Sequence, residues 1–372
     1  MGKRMRMNTD QERSQKTVYI RMDPRPTRKE AFTQEKGEPT MLKVGLIGAG
    51  FMGQMHTNVY ANIPEAQLIA VADQDEAKAR ELAPDATIYG TAEEMMKAEL
   101  LDVVDVCLPT YLHAEYVVKA AQAGKHVLCE KPMAMTPGEA DRMIEATEKA
   151  GVTFMVAHCI RFWPEYMALK NIVDKGTLGK LTSLSCVRRS PTPTWSWDGW
   201  LLDPVRSGGM ALDLHIHDTD YILYLFGKPA SVCSSGVWDE RGCVHIFTTY
   251  DFGSDRSVFA EGGWDFPAAY PFNMSFSAVF EKGAVAMQPG FVVYEAGKDP
   301  VSPELPKPNI GAVEGVGNIS DLGGYFNEIR YFIDCLLKGE KPRIVTPRDA
   351  KDSVETLLAE MESAKTGKAV TL

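Results

Sequence analysis

The chain has 372 residues, of which 45% are hydrophobic, and it carries a formal net charge of −10. Its length predicts more than one domain, and its acidic balance argues against a nucleic-acid partner. No apolar run approaches the roughly 18 residues that a membrane-spanning helix needs, so no membrane partner is predicted either.

The seven cysteines are scattered along the chain without a CxxC pair. Two of them, Cys107 and Cys129, lie in apolar runs that resemble buried strands. This usage predicts free thiols in a reducing compartment, the cytoplasm.

Residues 1–40 differ in composition from the rest of the chain. They hold ten Lys/Arg and six Asp/Glu, and they lack the apolar stretch of a secretory signal. We expect a disordered extension here, with the folded protein beginning at Met41.

Strand-like and helix-like segments alternate at short intervals through residues 41–160. The predicted strands are 42–47, 68–72, 103–108, 127–129 and 154–157, and helical patterns follow most of them. This alternation predicts an α/β Rossmann domain with a doubly wound parallel sheet. In such a sheet the ligand crevice lies at the carboxyl ends of the strands.

The alternation of strand-like and helix-like segments ends at about residue 160. Helices are predicted at 164–175 and 209–226, and a strand at 181–188. Further strands are predicted at 231–238, 244–252, 257–263, 273–281 and 284–287, followed by a loop at 296–320. We predict a second α/β domain over 161–345 with a large, open, mostly antiparallel sheet, which would support a homodimer or homotetramer. Helices near 321–337 and 347–365 complete the chain, the last within a C-terminal segment at 346–372.

A glycine-rich turn, Gly48-Ala-Gly-Phe-Met-Gly53, follows the first predicted strand and precedes a helix. This is the context that a dinucleotide-binding turn requires. Gly48 permits the tight turn, Gly50 lets a diphosphate approach the backbone, and Gly53 allows close helix–strand packing. Phe51 and Met52 complete the motif; a tight turn without a ligand is the alternative.

Asp73 lies 20 residues beyond Gly53, at the end of the second predicted strand. A carboxylate there can bind the ribose hydroxyls of NAD and would repel the 2′-phosphate of NADP. The sequence therefore predicts NAD as the cofactor in preference to NADP.

Three residues form a candidate catalytic set. Lys131 follows the strand that ends in Val127-Leu-Cys129, where an ammonium group can stabilise a developing alkoxide. His217 is the candidate general base, and Asp213, four residues earlier, would orient the imidazole or bind a substrate hydroxyl. A surface lysine and a core histidine with a nearby carboxylate are the alternatives.

The segment Asp213–Asp220 is dense in metal-ligand types, which raises the alternative of a metal site. On a helix, His215 and His217 would point about 200° apart and could not share one ion. The sequence therefore predicts no metal here.

Aromatic residues precede this segment. Trp195, Trp197 and Trp200 form a patch that suits either sugar binding or a subunit contact. Arg161, just after the last strand of the first domain, either helps to form the substrate pocket or pairs with a carboxylate.

Taken together, these motifs resemble the Gfo/Idh/MocA family of oxidoreductases over roughly residues 41–372. The resemblance rests on the glycine turn, Cys107-Leu-Pro109-Thr110 with His113, Glu130-Lys-Pro, and Asp213-x-x-x-His217. It implies that Lys131, Asp213 and His217 are catalytic, and that Thr110, His113 and Glu130 line the cofactor crevice beside Pro109. It also implies NAD(P)-dependent oxidation or reduction of a sugar, an inositol or a related polyol. The front extension and His215 have no counterpart in this resemblance.

Two other functions stay open at the level of sequence. One is a non-catalytic sensor that binds a dinucleotide, which would not need the lysine–histidine pair. The other is a redox-neutral, NAD-dependent glycosidase, which would use the same residues without net formation of NADH.

Overall fold

The computed structural model describes residues 41–288, 290–306, 308 and 322–372. The predicted disordered extension at 1–40 lies outside the described residues, as does much of the predicted loop at 296–320. Within the described ranges, no helix is both long enough and apolar enough to span a membrane.

The first half of the described chain forms a six-stranded sheet in the order β3-β2-β1-β4-β5-β6. Its strands are β1 (Leu42–Ile47), β2 (Ala66–Ala72), β3 (Thr87–Tyr89), β4 (Val103–Val106), β5 (His126–Glu130) and β6 (Phe154–Ala157), and its helices are α1 (Phe51–Tyr60), α2 (Glu76–Leu82), α3 (Ala92–Ala98), α4 (His113–Gln122) and α5 (Pro137–Ala150). All neighbouring strands are parallel. The strand order reverses between β1 and β4, the point at which doubly wound sheets open a ligand crevice. The predicted parallel sheet is confirmed.

Local signals explain where α5 begins and ends. The Thr136 hydroxyl accepts a hydrogen bond from the Glu139 amide, and the Glu139 carboxylate accepts one from the Thr136 amide. Pro137 occupies the first turn, where its missing N–H costs nothing. Gly151 ends the helix with φ 68°, a conformation that glycine adopts without strain.

The second half forms an eight-stranded sheet in the order β13-β12-β11-β7-β10-β9-β8-β14. Its strands are β7 (Leu181–Pro191), β8 (Ser231–Asp239), β9 (Gly242–Asp251), β10 (Ser257–Phe266), β11 (Asn273–Phe280), β12 (Gly283–Met287), β13 (Phe291–Glu295) and β14 (Val370–Thr371). Neighbours pair antiparallel except β7 and β10, which run parallel. The predicted large, mostly antiparallel sheet is confirmed.

Helices cover one face of this second sheet. The helices of this part of the chain are α6 (Pro164–Lys175), α7 (Pro204–Ser207), α8 (Ile216–Phe226), α9 (Gly323–Lys338) and α10 (Pro347–Thr366). Of these, α8 and α10 contact strands of the second sheet, whereas α9 packs against α1 and β6 of the first half. Along β9 the alternate residues Ile246, Thr248 and Tyr250 are buried, whereas Phe247 and Thr249 between them are exposed. The helices therefore pack on one set of side chains, and the opposite face of the sheet stays open.

The C-terminal segment, predicted separately at 346–372, packs onto the second sheet. The Ser363 hydroxyl on α10 accepts a hydrogen bond from the Ser234 amide on β8 at 2.8 Å. Val370 then pairs with Val232, so that β14 extends the sheet at its edge.

The structure departs from the predicted elements in two places. The predicted helix at 209–226 contains a π-helical turn, Ala211–His215, before the regular helix α8 begins. The elements α2, β3, α7, β13 and β14 had no prediction, because each has at most seven residues and too short a pattern of apolar side chains.

Candidate functional site

The glycine turn between β1 and α1 has little room for side chains at two of its three glycines. Gly48 has φ +100°, and a Cβ atom there would lie 2.4 Å from the Cys107 carbonyl oxygen. A Cβ atom on Gly53 would lie 2.0 Å from the Gly48 carbonyl oxygen. At Gly50, by contrast, a Cβ atom would meet nothing within 4 Å, so the backbone faces open space at the start of α1. An exposed backbone at a helix N-terminus fits a diphosphate group.

Asp73 follows β2 and contacts the same turn. Its Oδ2 atom accepts a hydrogen bond from the Ala49 amide at 2.6 Å, and its Oδ1 atom accepts one from the Asp75 amide at 2.8 Å. Each carboxylate oxygen keeps a further lone pair that can accept from a ribose hydroxyl. Asp73 thus holds the turn and faces the crevice at once.

Lys131 lies just beyond the carboxyl end of β5 and reaches the second half of the chain. Its Nζ atom donates to Oδ1 of Asp213 at 2.9 Å and to the Asp213 carbonyl oxygen at 2.7 Å. Only 14% of the Lys131 side chain is exposed, which fixes the ammonium group at the crevice wall.

His217 is the second residue of α8 and lines the crevice that contains Lys131. Its Nδ1 atom is buried and has no hydrogen-bond partner among the described residues. Burial lowers the pKa of His217 well below its ordinary value, and the positive charges of Lys131 and Arg188 lower it further. The imidazole is therefore neutral at pH 7 and able to accept a proton.

Asp213 contacts the lysine and not the imidazole, so the predicted role of orienting His217 finds no contact in the structure. Both side chains line the crevice, as the helical spacing of four residues predicts, but Asp213 lies inside the π-helical turn and its carboxylate contacts Lys131. Asp213 instead fixes the position of the Lys131 ammonium group.

His215 points away from the crevice. It is buried, and its Nε2 atom lies 2.9 Å from Oε2 of Glu360 on α10. His215 and His217 therefore point in different directions, as their spacing on a helix predicts.

The predicted cofactor and catalytic residues converge on one crevice of about 940 Å³. Those that line it are Gly48, Gly50, Phe51, Met52, Asp73, Pro109, Glu130, Lys131, Asp213 and His217. Gly53, Thr110 and His113 are buried and lie outside this lining. The ring nitrogens of His113 lie 2.8 Å from the carbonyl oxygens of Pro132 and Leu108, so His113 supports two loops beneath the crevice.

The tryptophan loop joins the same crevice from the second half of the chain. Trp195 and Trp197 are each 59% exposed, and both line the crevice together with Trp200. The Trp195 ring lies 4.8 Å from the Phe51 ring of the glycine turn. The Arg206 guanidinium lies over the Trp197 ring at 5.8 Å, so the loop is held on both sides.

Arg161 is not part of the crevice lining, which corrects its assignment to the substrate pocket. Its Nε and Nη2 atoms donate to the two carboxylate oxygens of Asp220 at 2.8 and 2.7 Å. Its Nη1 atom donates to the Ile344 carbonyl oxygen at 2.6 Å. A buried guanidinium needs a paired carboxylate, and Arg161 has one.

Sequence reasoning missed Arg188, which lines the crevice and is paired with Asp218 through two hydrogen bonds of 2.8 and 3.1 Å. The available signal was the alternating pattern of β7, in which Arg188 shares the buried face with Leu184 and Cys186. It also missed Tyr325 on α9, which reaches the crevice from the C-terminal part of the chain.

Comparison with known proteins places this arrangement in a family. A model of the oxidoreductase family with an NAD-binding Rossmann fold matches residues 42–158, and a model of the GFO/IDH/MocA C-terminal domain matches residues 166–286. This chain belongs to the GFO/IDH/MocA family. The predicted family and its NAD-binding fold are thereby confirmed.

Curated GFO/IDH/MocA relatives include dehydrogenases of polyols and sugars. The chain is 36% identical to myo-inositol 2-dehydrogenase of Thermotoga maritima over 191 residues, which cover 50% of this chain and 55% of that protein. It is 31% identical to D-glucoside 3-dehydrogenase of Escherichia coli, over 64% of this chain and 66% of that protein. The matched segments thus span between half and two thirds of these relatives.

Among solved structures, an oxidoreductase from Agrobacterium radiobacter in complex with NAD+, L-tartaric acid and magnesium superposes with a TM-score of 0.78. The match covers 89% of this chain and 98% of that chain at 19% sequence identity. At this identity the likeness shows the shared fold.

Proposed function

We propose that this protein is an NAD-dependent dehydrogenase that oxidises a hydroxyl-bearing carbon of a sugar, an inositol or a related polyol, or reduces the corresponding carbonyl. The observation that carries the proposal is that Lys131, Asp213 and His217 line the same crevice as the glycine turn. The named dehydrogenases among the relatives support it.

In this proposal the glycine turn and Asp73 hold NAD, which supplies the hydride acceptor. The neutral imidazole of His217 takes the proton of the substrate hydroxyl at Nε2, because Nδ1 is the buried ring nitrogen. The Lys131 ammonium stabilises the negative charge that develops on the substrate oxygen. Asp213 keeps that ammonium in place through its two contacts at 2.7 and 2.9 Å.

The first test is absorbance at the NADH band, with the protein, NAD and a panel of inositols, aldoses and glycosides. We expect NADH to form with one compound class. Lys131→Met should lower kcat by about 100-fold or more, because an electrostatic contact to the transition state is lost. The dissociation constant for NADH should stay within about threefold, since Lys131 acts on the substrate oxygen.

Lys97→Met, at the exposed end of α3, serves as a matched control and should keep full activity. Full activity of Lys131→Met would refute the assignment. If NADH binds but does not accumulate with any compound, chromatography of the glycosides separates a redox-neutral glycosidase, which cleaves them, from a sensor, which does not.

We also propose that Asp73 makes the protein prefer NAD to NADP. A carboxylate beside the ribose repels a 2′-phosphate, so NADH should bind at least about tenfold more tightly than NADPH. Asp73→Asn keeps an acceptor for the Ala49 amide and removes the charge. This variant should therefore show a smaller difference between its affinities for NADH and NADPH. Fluorescence titration measures both affinities, with Asp85→Asn as an exposed control. Tighter binding of NADPH by the unmodified protein would contradict the proposal.

We further propose a homodimer or homotetramer built on the open face of the eight-stranded sheet. Val237, Phe247 and Val279 are between 39% and 54% exposed there, and they are apolar. The Phe247 ring also lies 6.2 Å from the Phe259 ring of the neighbouring strand, and exposed apolar surface on a sheet face is typical of protein interfaces. All seven cysteines are free thiols, which supports the proposal of a reducing, cytoplasmic location.

A further inference from the structure

A buried histidine lies directly beneath the cofactor crevice. His56, on the second turn of α1, has no exposed surface. Its Nδ1 atom lies 2.8 Å from Oδ2 of Asp105 on β4, and its Nε2 atom lies 3.0 Å from Oε1 of Glu130 at the end of β5. Because ionised carboxylates only accept hydrogen bonds, both ring nitrogens of His56 donate, and the ring is an imidazolium.

The charges around His56 agree with this assignment. Burial alone would lower the pKa of His56, but the interactions with Asp105 and, after it, with Cys107 outweigh burial and raise the pKa well above its ordinary value. The Tyr60 hydroxyl also donates to Oδ2 of Asp105, at 2.9 Å, and fixes that carboxylate.

His56, Asp105 and Cys107 are also the one group of side chains, within the described ranges, with the types and spacing of metal ligands. The contacts of these three side chains indicate a hydrogen-bond network and not a metal site. Both ring nitrogens of His56 already face carboxylates, and the Cys107 Sγ atom lies 3.3 Å from Nδ1, as a weak hydrogen-bond partner does.

Glu130 connects this network to the candidate catalytic lysine. Its second oxygen, Oε2, accepts a hydrogen bond from the Lys131 amide at 3.0 Å. A continuous chain of hydrogen bonds therefore runs from the helix of the glycine turn, through His56 and Glu130, to the backbone of Lys131.

We propose that His56 is a positioning residue, which acts through Glu130 to hold Lys131 at a fixed place relative to the glycine turn. This inference rests on the proposed function, because it assigns a purpose to the position of Lys131. Misplacement of a catalytic group by about 1 Å can cost about 100-fold in rate. A rigid link between the glycine turn and Lys131 would therefore affect turnover.

A third carboxyl group faces the same network from another element. Glu328 on α9 is buried, and neither of its oxygens has a hydrogen-bond partner among the described residues. Burial raises the pKa of Glu328 well above its ordinary value, and the nearby charges of Glu130 and Asp105 raise it further. Glu328 is therefore uncharged at neutral pH, and the His56 imidazolium contacts the two remaining carboxylates, Asp105 and Glu130. Loss of His56 would leave both of them buried without a counter-charge.

The kinetic test uses His56→Gln, Glu130→Gln and the double variant. Gln at position 56 removes the positive charge, and Gln at position 130 has one acceptor oxygen, so it can keep only one of the two hydrogen bonds. Each single variant should lower kcat by about 10- to 100-fold, while KM and the NADH dissociation constant change by less than about threefold. The double variant should be no slower than the slower single variant, because both changes break one chain.

His126→Gln is the matched control. His126 lies at the opposite end of β5, where its Nδ1 atom accepts from the Thr153 amide. This variant should keep its kcat, whereas a general loosening of β5 would lower it.

Two kinetic results would overturn the proposal. One is a folded His56→Gln variant whose kcat lies within about twofold of the unmodified protein. A histidine that serves only the fold would give this result. The other is a double variant whose loss is the product of the two single losses, which would show independent action. If His56→Gln does not fold, Glu130→Gln carries the kinetic test alone, and full activity of that variant would overturn it.

An activity-independent measurement separates this inference from the proposed function. Nitrogen NMR of the histidine-labelled protein should show the His56 ring as an imidazolium at pH 8, assigned by its absence in a folded His56 variant or through its backbone. A neutral ring would overturn the network whatever the enzyme does. If the protein oxidises no compound of the panel while His56 is an imidazolium, the proposed function fails and the network stands.

Discussion

At the scale of single residues, the ionisation of His217 follows from its surroundings. Burial comes first among the causes of its lowered pKa, and the charge of Lys131 comes second. Lys131→Met should therefore raise the pKa of His217 toward its ordinary value of 6.5. A ring-proton NMR titration measures this directly. The pKa of His126, which depends on burial and Asp102, is an internal control that should not move. An unchanged His217 titration would contradict the assigned effect of the Lys131 charge.

The sign of the associated stability change can be stated. The unfolded chain binds a proton at His217 more readily than the folded protein does, so the free energy of unfolding falls as the pH drops below 6.5. That fall should be smaller in Lys131→Met, because the difference between the folded and unfolded pKa of His217 is smaller.

The lowered pKa of His217 also predicts the pH dependence of activity. Because His217 stays neutral in the folded protein at pH 6.5, kcat/KM of the unmodified enzyme should stay level as the pH falls through 6.5 and decline only below it.

The sequence was sufficient to predict that Lys131, Asp213 and His217 face one crevice, because each lies at a strand end or on a helix turn, and all three line that crevice in the structure. It was not sufficient to select their partners. Lys131 contacts Asp213 across 82 positions, and Arg161 contacts Asp220 across 59. Such pairs depend on how distant segments pack, and neither periodicity nor local spacing encodes them.

At the scale of elements, two glycines of the same turn have different roles: Gly53 is needed for folding, and Gly50 is needed for cofactor binding. Gly53→Ala should destabilise the protein by about 1–3 kcal/mol, because its Cβ atom would lie 2.0 Å from a backbone oxygen that cannot move aside. Gly50→Ala should keep the melting temperature, because its Cβ atom would meet nothing within 4 Å. It should nevertheless weaken NADH binding by about tenfold or more, since a methyl group would occupy the approach of the diphosphate.

Thermal unfolding and fluorescence titration with NADH, made on both variants, test this separation. Gly50→Ala with unchanged affinity would show that the diphosphate does not approach the turn at this residue. A stable Gly53→Ala would show that helix α1 can shift away from β1.

Elements with strong local signals were predictable, and elements without them were not. The helix α6 was predicted at its observed bounds, and α5 carries a capping box, an early proline and a terminal glycine. The π-helical turn Ala211–His215 has no such signal, because its apolar spacing also fits an α-helix. Asp213 lies in this turn and contacts Lys131 from there.

At the scale of the whole molecule, the two sheets contribute to one site. The first sheet supplies the cofactor turn and Lys131, whereas the second half supplies His217, Arg188 and the tryptophan loop. The halves are joined by the contact of Trp195 with Phe51 at the crevice and by an ion pair of Arg330 on α9 with Glu65, which lies at the amino end of β2. Neither half of the chain alone holds the complete candidate catalytic set of Lys131, Asp213 and His217.

The open face of the second sheet provides the last prediction. Phe247 is 39% exposed at the middle of this face, where its ring stacks on His245 at 4.8 Å and lies 6.2 Å from the Phe259 ring. A negative charge at this position would be buried without a partner in an oligomer, but it would face water in a monomer. Phe247→Glu should therefore lower the molar mass measured by light scattering at micromolar concentration to that of a smaller assembly, while the fold is retained. Leu100→Glu, at a residue that is 80% exposed and outside this sheet, should leave the mass unchanged. A monomeric unmodified protein at micromolar concentration, or an unchanged mass for Phe247→Glu, would contradict an interface on this face.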